Sequence, residues 1–121
     1  MGLTGNLFEK QVKIDITSKM MEEDLFWSII EKSLQNFSEQ DQQERLLVKE
    51  LQNLSPAQLI GFRLRTDKLL YDTYSSKMWC AAYIMNDGCS DDCFEYFRLW
   101  VISKGKETYQ KAKDNPDTLG S

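Results

Sequence analysis

Between Lys77 and Lys104 the chain carries two strongly apolar stretches, Met78 to Met85 and Phe94 to Ile102, separated only by Asn86-Asp87-Gly88-Cys89-Ser90-Asp91-Asp92-Cys93. Each is long enough for a helix and neither alternates as a strand would. Asp87-Gly88 stops the first, Gly88 being suited to a left-handed C-terminal cap. Ser90 caps the second, Asp91 and Asp92 load its first turn with negative charge, and Gly105 stops it. Two such helices joined by so short a link are expected to form an antiparallel hairpin. The stretch 77–86, apolar over much of its circumference, reads as the central helix, and 91–104 as the second central element.

The rest of the chain supplies helices to cover that pair. Leu25, Phe26, Ile29, Ile30, Leu34 and Phe37 fall at helical spacing and predict a helix from about Met21 to Asn36, with Glu22, Glu23 and Asp24 in its first turn. After the polar break Ser38-Glu39-Gln40-Asp41, Leu46, Leu47, Leu51 and Leu54 predict a second helix of about 12 residues. Ser55-Pro56 is a strong start signal for a third helix running to about Tyr74, with Leu59, Phe62, Leu69, Leu70 and Thr73 on or near its buried side. Residues 106–113 form a short helix or a continuation, Asn115-Pro116-Asp117 ends regular structure, and Thr118 to Ser121 frays. With 121 residues there is room for one core. The expected fold is all-α, an irregular bundle of five or six helices over residues 21–119, with 120–121 a tail or a cloning remnant. In residues 1–20, Val12, Ile14 and Ile16 alternate with Lys13 and Asp15, the pattern of a short β-strand or an extended arm.

The function classes narrow quickly. The chain contains no His, which removes Ser-His and Cys-His nucleophilic dyads and His-containing metal sites. Its net charge of −4 comes from the first 60 residues, with 6 basic and 10 acidic side chains, while the remainder has 9 of each. Without a dense Lys/Arg stripe it is a poor ligand for a phosphate backbone, so no nucleic acid is expected. No apolar run reaches the roughly 18 to 20 residues of a membrane span, so no membrane is expected either. Cys80, Cys89 and Cys93 cannot all pair within one chain and read as reduced thiols of a cytoplasmic protein.

Ala81-Ala82-Tyr83-Ile84, followed by the run Gly88-Cys89-Ser90-Asp91-Asp92-Cys93-Phe94-Glu95-Tyr96-Phe97-Arg98-Leu99-Trp100-Val101-Ile102-Ser103-Lys104-Gly105, resembles the uncharacterised family catalogued as domain of unknown function 4240. Glu23-Asp24-x-Phe26-Trp27-x-x-Ile30 and Asn115-Pro116-Asp117-x-Leu119 are similar to its pattern as well, so the likeness covers about Met21 to Leu119. It implies a bacterial source and no chemistry, because the family has no established activity. The first 20 residues lie outside it.

The candidate site is the turn itself. Asp87, Asp91 and Asp92, with Glu95 nearby, place four carboxylates within nine residues of a helix start, and Arg98 follows on the same helix. They read as a ligand-binding or acid–base cluster, or as helix-capping charges with Arg98 paired to Asp91, Glu95 or a carboxylate of another helix. The spacing fails the calcium-loop pattern, since six residues past Gly88 stands Phe94 and not Glu. Cys89 and Cys93 are a redox pair or a metal half-site in the sharper reading, and a buried thiol plus a small cap residue in the plainer one. Most aromatic residues are expected in the core, but Tyr71, Tyr74 and Tyr96 could line an interaction groove. Lys104, Lys106, Lys111 and Lys113, the one basic cluster, read as a solvated helix end.

No complete catalytic constellation, metal site or cofactor motif is present in the sequence. The favoured reading is a non-catalytic cytosolic interaction module with an unknown protein partner, of inhibitor or immunity type, monomer or homodimer. The alternative is a small ligand-binding protein or enzyme using Asp87, Asp91, Asp92 and Arg98.

Overall fold

Three of the predicted helices start at serines, and each serine does the same job. Ser55 Oγ accepts the Gln58 N–H and the Gln58 side chain accepts the Ser55 N–H, a reciprocal cap in front of Pro56. Ser75 Oγ accepts from Met78, and Ser90 Oγ from Cys93. The computed structural model describes residues 19–35 and 40–120. It contains α1 (Glu23–Ser33), α2 (Gln40–Gln52), α3 (Pro56–Asp72), α4 (Ser76–Met85), α5 (Asp91–Ser103), α6 (Lys106–Asp114) and a 3-10 helix (Pro116–Gly120), and no strand among the described residues. The all-α bundle is as expected. The strand or arm proposed for residues 1–20 lies almost entirely outside the described residues.

α1 starts later than its apolar pattern suggested. Met21 N–H donates to the Gly61 carbonyl and Arg65 Nε donates to the Met21 carbonyl, so residues before Glu23 are tied to α3 instead of winding into α1. A Cβ on Gly61 would meet the Met21 nitrogen at 3.1 Å, which is why a glycine stands at this crossing. Phe26, Trp27, Ile29 and Ile30 are buried and join Leu69, Met78, Phe94, Phe97, Val101, Ile102 and Tyr109 in one core. α2 lies against α1, α5 touches α3, α4 and α6, and the 3-10 helix packs on α4 and α6.

Several expectations are corrected. α4 is not central: only Met78 and Ala82 are buried, and Tyr83, Ile84 and Met85 face outward. Its principal neighbours are α5 and the 3-10 helix, which together cover one side only. α1 and α5 hold the centre. Leu59, expected on or near the buried side of α3, is exposed. Asn115-Pro116-Asp117 does not end regular structure, since the 3-10 helix follows, and Leu119 packs against the core instead of fraying.

Candidate functional site

The turn between α4 and α5 is tightly built. Asn86 Nδ2 donates to the Ala82 carbonyl, and the Gly88 N–H donates to the Tyr83 carbonyl at 2.7 Å. Asp87 has φ 53° and Gly88 φ 111°, so the helix ends in the left-handed conformation that glycine accommodates at least cost. Cys89 and Cys93 form a disulfide across the Ser90 cap. This corrects the reading of three reduced thiols: the turn into α5 brings the two Cα atoms to 5.3 Å, within bridging reach. Cys80 is free and exposed.

Asp87, Asp91, Asp92 and Glu95 are exposed and enter no ion pair among the described residues. No group of three His, Cys, Asp or Glu among the described residues is placed to hold a metal ion. Arg98 behaves differently from its carboxylate neighbours. It is buried, its Nη1 donates to the Leu70 carbonyl at the end of α3, and its guanidinium lies 4.3 Å from the Phe94 ring centre and 5.0 Å from that of Tyr74. The expected carboxylate pairing is thus replaced by a carbonyl and two ring faces. A helix C-terminus presents unpaired carbonyls and partial negative charge, and both suit a guanidinium. Burial lowers the Arg98 pKa from its ordinary value, opposed by Glu95 and Tyr74, and a guanidinium remains protonated throughout the physiological range.

The three tyrosines singled out as an interaction surface are all exposed, but they do not share a groove. Tyr74 borders a cleft with Ser75, Ser76, Trp79 and Phe94, whereas Tyr96 lines an open groove of about 480 Å³ with Met85, Asn86, Cys93, Phe97 and Trp100. Tyr71 lies on α3 and lines neither of them. Tyr96 and Trp100 also border a second cleft, of about 460 Å³, whose walls include Phe26, Leu47, Phe62 and Leu99. The two side chains, one helical turn apart on α5, therefore form a ridge between two apolar depressions. Lys104 Nζ stands 5.4 Å from the Trp100 ring centre at the far end.

A family model described as a protein of unknown function (DUF4240) matches residues 21–121. The chain belongs to the DUF4240 family. No curated protein and no solved structure matches it. The DUF4240 segment begins at Met21, the residue whose backbone is tied to Gly61 and Arg65, and it contains every described helix.

Within this DUF4240 domain, sequence reasoning missed three polar contributors. Tyr109 is buried and donates to the Leu69 carbonyl. Gln43 is buried, and its Nε2 donates to the Ser103 carbonyl and to Ser33 Oγ, linking three helices. Glu31 Oε2 accepts the Lys106 N–H, capping α6 from another helix because Gly105 has no side chain to do so. None carries a local motif, and only Gly105 hinted that α6 needed a cap from elsewhere. No helix among the described residues is long and apolar enough to cross a membrane.

Proposed function

We propose that this DUF4240 domain is a non-catalytic protein-interaction module whose docking face is formed by the end of α4 and the outer side of α5. The observation that carries this reading is the group Met85, Tyr96 and Trp100, exposed together around the 480 Å³ groove, with Tyr83 and Ile84 also exposed on the last turn of α4. Single exposed apolar residues are ordinary, but an aromatic group of this kind beside a groove is the composition of interface hot spots. The acidic end of the groove agrees with an inhibitor or immunity type of binding, in which an acidic face covers a basic partner. The seclusion of Arg98 from Asp87, Asp91 and Asp92 weighs against a ligand site built from those four. A cytoplasmic setting belongs to the same reading, and there the Cys89–Cys93 bond would meet dithiol reductants.

The test is affinity capture from a native lysate with the full chain and with its Tyr96→Ser/Trp100→Ser variant. A stoichiometric protein retained by the first and lost by the second supports the reading. Recovery of a metal or small metabolite alone, with no protein, overturns it.

A further inference from the structure

We infer that the partner segment docking in the Met85–Trp100 groove is an amphipathic, basic helix, with apolar side chains in the groove and Lys or Arg side chains against Asp87, Asp91 and Asp92. The inference rests on the interaction-module reading and names the chemistry of the partner.

The groove has the dimensions and lining for a helix face. From Cys93 to Trp100 the α5 wall spans about 10 Å at 1.5 Å per residue, the length over which two turns of a docked helix present anchors at i, i+3 or i+4, and i+7. Beside Asn86, its lining is a thioether, a disulfide sulfur and three aromatic rings, a mainly apolar surface that accepts aliphatic side chains.

The groove is also electrically polarised. Asp87 adjoins Asn86 at one end, and Asp91 and Asp92 precede Cys93 on the same end. All three are exposed and none enters an ion pair among the described residues, so they hold negative potential beside an apolar surface. The opposite end carries Lys104 over the Trp100 ring. A segment with its positive charges at the aspartate end satisfies both features. An acidic segment places like charges together there, and a second copy of this chain brings its own net charge of −4 to the same surface.

The test uses the full chain and three fluorescein-labelled synthetic peptides: a Leu/Lys helix with leucines on one face, its Leu/Glu counterpart, and a Leu/Lys peptide of scrambled order. Anisotropy titrations at low salt are expected to show binding of the first and at least about tenfold weaker binding of the other two. Asp91→Asn/Asp92→Asn is expected to weaken the first about fivefold at low salt, with the gap narrowing as salt screens the charges. Tyr96→Ala weakens it at both salts. The same charge change at Glu22→Gln/Asp24→Asn, beside a different cleft, leaves affinity within about twofold. Circular dichroism of each variant separates loss of fold from loss of binding.

Equal binding of the Leu/Lys and Leu/Glu peptides, no effect of Asp91→Asn/Asp92→Asn, or no binding of any peptide overturns the inference. So does sedimentation showing a dimer that Tyr96→Ala dissociates and the Leu/Lys peptide does not. If a lysate protein is nevertheless captured and then lost in Tyr96→Ser/Trp100→Ser, the interaction reading stands and only the basic-helix chemistry falls.

Discussion

The hydroxyl of Tyr109 donates to the carbonyl oxygen of Leu69 at 2.8 Å, closing the last turn of α3 with a side chain from 40 residues further along the chain. Thr73 Oγ1 bonds the Leu69 and Leu70 carbonyls, and Arg98 also bonds Leu70, so the end of α3 is satisfied by three side chains from three places. Carbonyls that a helix leaves unpaired are costly to bury without partners, and this junction is where the bundle meets that demand.

Tyr109→Phe removes one of those donors and is expected to cost about 1–2 kcal/mol near neutral pH. Burial, assisted by Asp72 and Glu23, raises the Tyr109 pKa above the ordinary phenol range. Below about pH 10 both folded and unfolded chains carry the proton, and above it the unfolded chain loses it first. Stability contributed by Tyr109 is therefore intact below about pH 10 and declines as pH rises beyond it. Urea unfolding of the parent and Tyr109→Phe between about pH 8 and about pH 11 should give a steeper decline in the parent. Equal slopes would refute the assignment.

Arg98→Ala should destabilise by about 2–4 kcal/mol, through a cavity between Phe94 and Tyr74 and the loss of one donor to the Leu70 carbonyl, which keeps Thr73. Arg98→Lys keeps the charge but not the flat face stacked on the rings, and should recover only part of that loss. Asp91→Asn/Asp92→Asn should cost no more than about 1 kcal/mol, the scale of first-turn helix charges. A large effect of the aspartates in chemical denaturation would mean that they, and not Leu70, anchor Arg98.

Gly105 has φ 105°, and a Cβ there would lie 2.8 Å from Glu31 Oε2. Gly105→Ala is expected to cost at least about 1 kcal/mol from backbone strain, and Glu31→Ala about 0.5–2 kcal/mol from the lost cap on α6. In the double variant the carboxylate is gone and the contact disappears, so the two losses should add to less than their sum. Thermal melts of the four proteins of this cycle read the coupling, and strict additivity would show that the two residues do not meet.

Alkylation of the denatured chain without reductant should label Cys80 alone, and after reduction all three cysteines. Because the bond spans a sequence separation of 4, reduction should lower stability by about 2 kcal/mol or less and leave the helical content intact. Mass spectrometry and circular dichroism measure the two effects, and three labelled cysteines without reductant would contradict the pairing.

The local signals were legible because they act within one turn of chain. Ser55-Pro56, Ser90 and Gly88 place helix ends through bonds to residues three to five positions away, and no distant partner changes that geometry. The Asp87–Arg98 group was legible as a list of residues but not as an arrangement. Arg98 was expected beside carboxylates close to it in sequence, yet it turns to the Leu70 carbonyl, which periodicity cannot foresee.

Apolar content set how much surface the helices wanted to bury, while the covering partners were set by packing. Met78 to Met85 is among the most apolar runs in the chain, and it leaves Tyr83, Ile84 and Met85 exposed because α5 and the 3-10 helix reach only one side of it. By itself the sequence determined most of the helices, the ends marked by Ser55, Gly88 and Ser90, and the resemblance to DUF4240, since these follow from neighbours along the chain. Only the tertiary structure decided which face of α4 stays bare, how the end of α3 is closed, and where the Tyr96–Trp100 ridge stands. Each of those depends on groups brought together across the fold, where burial and unpaired carbonyls outweigh local preference.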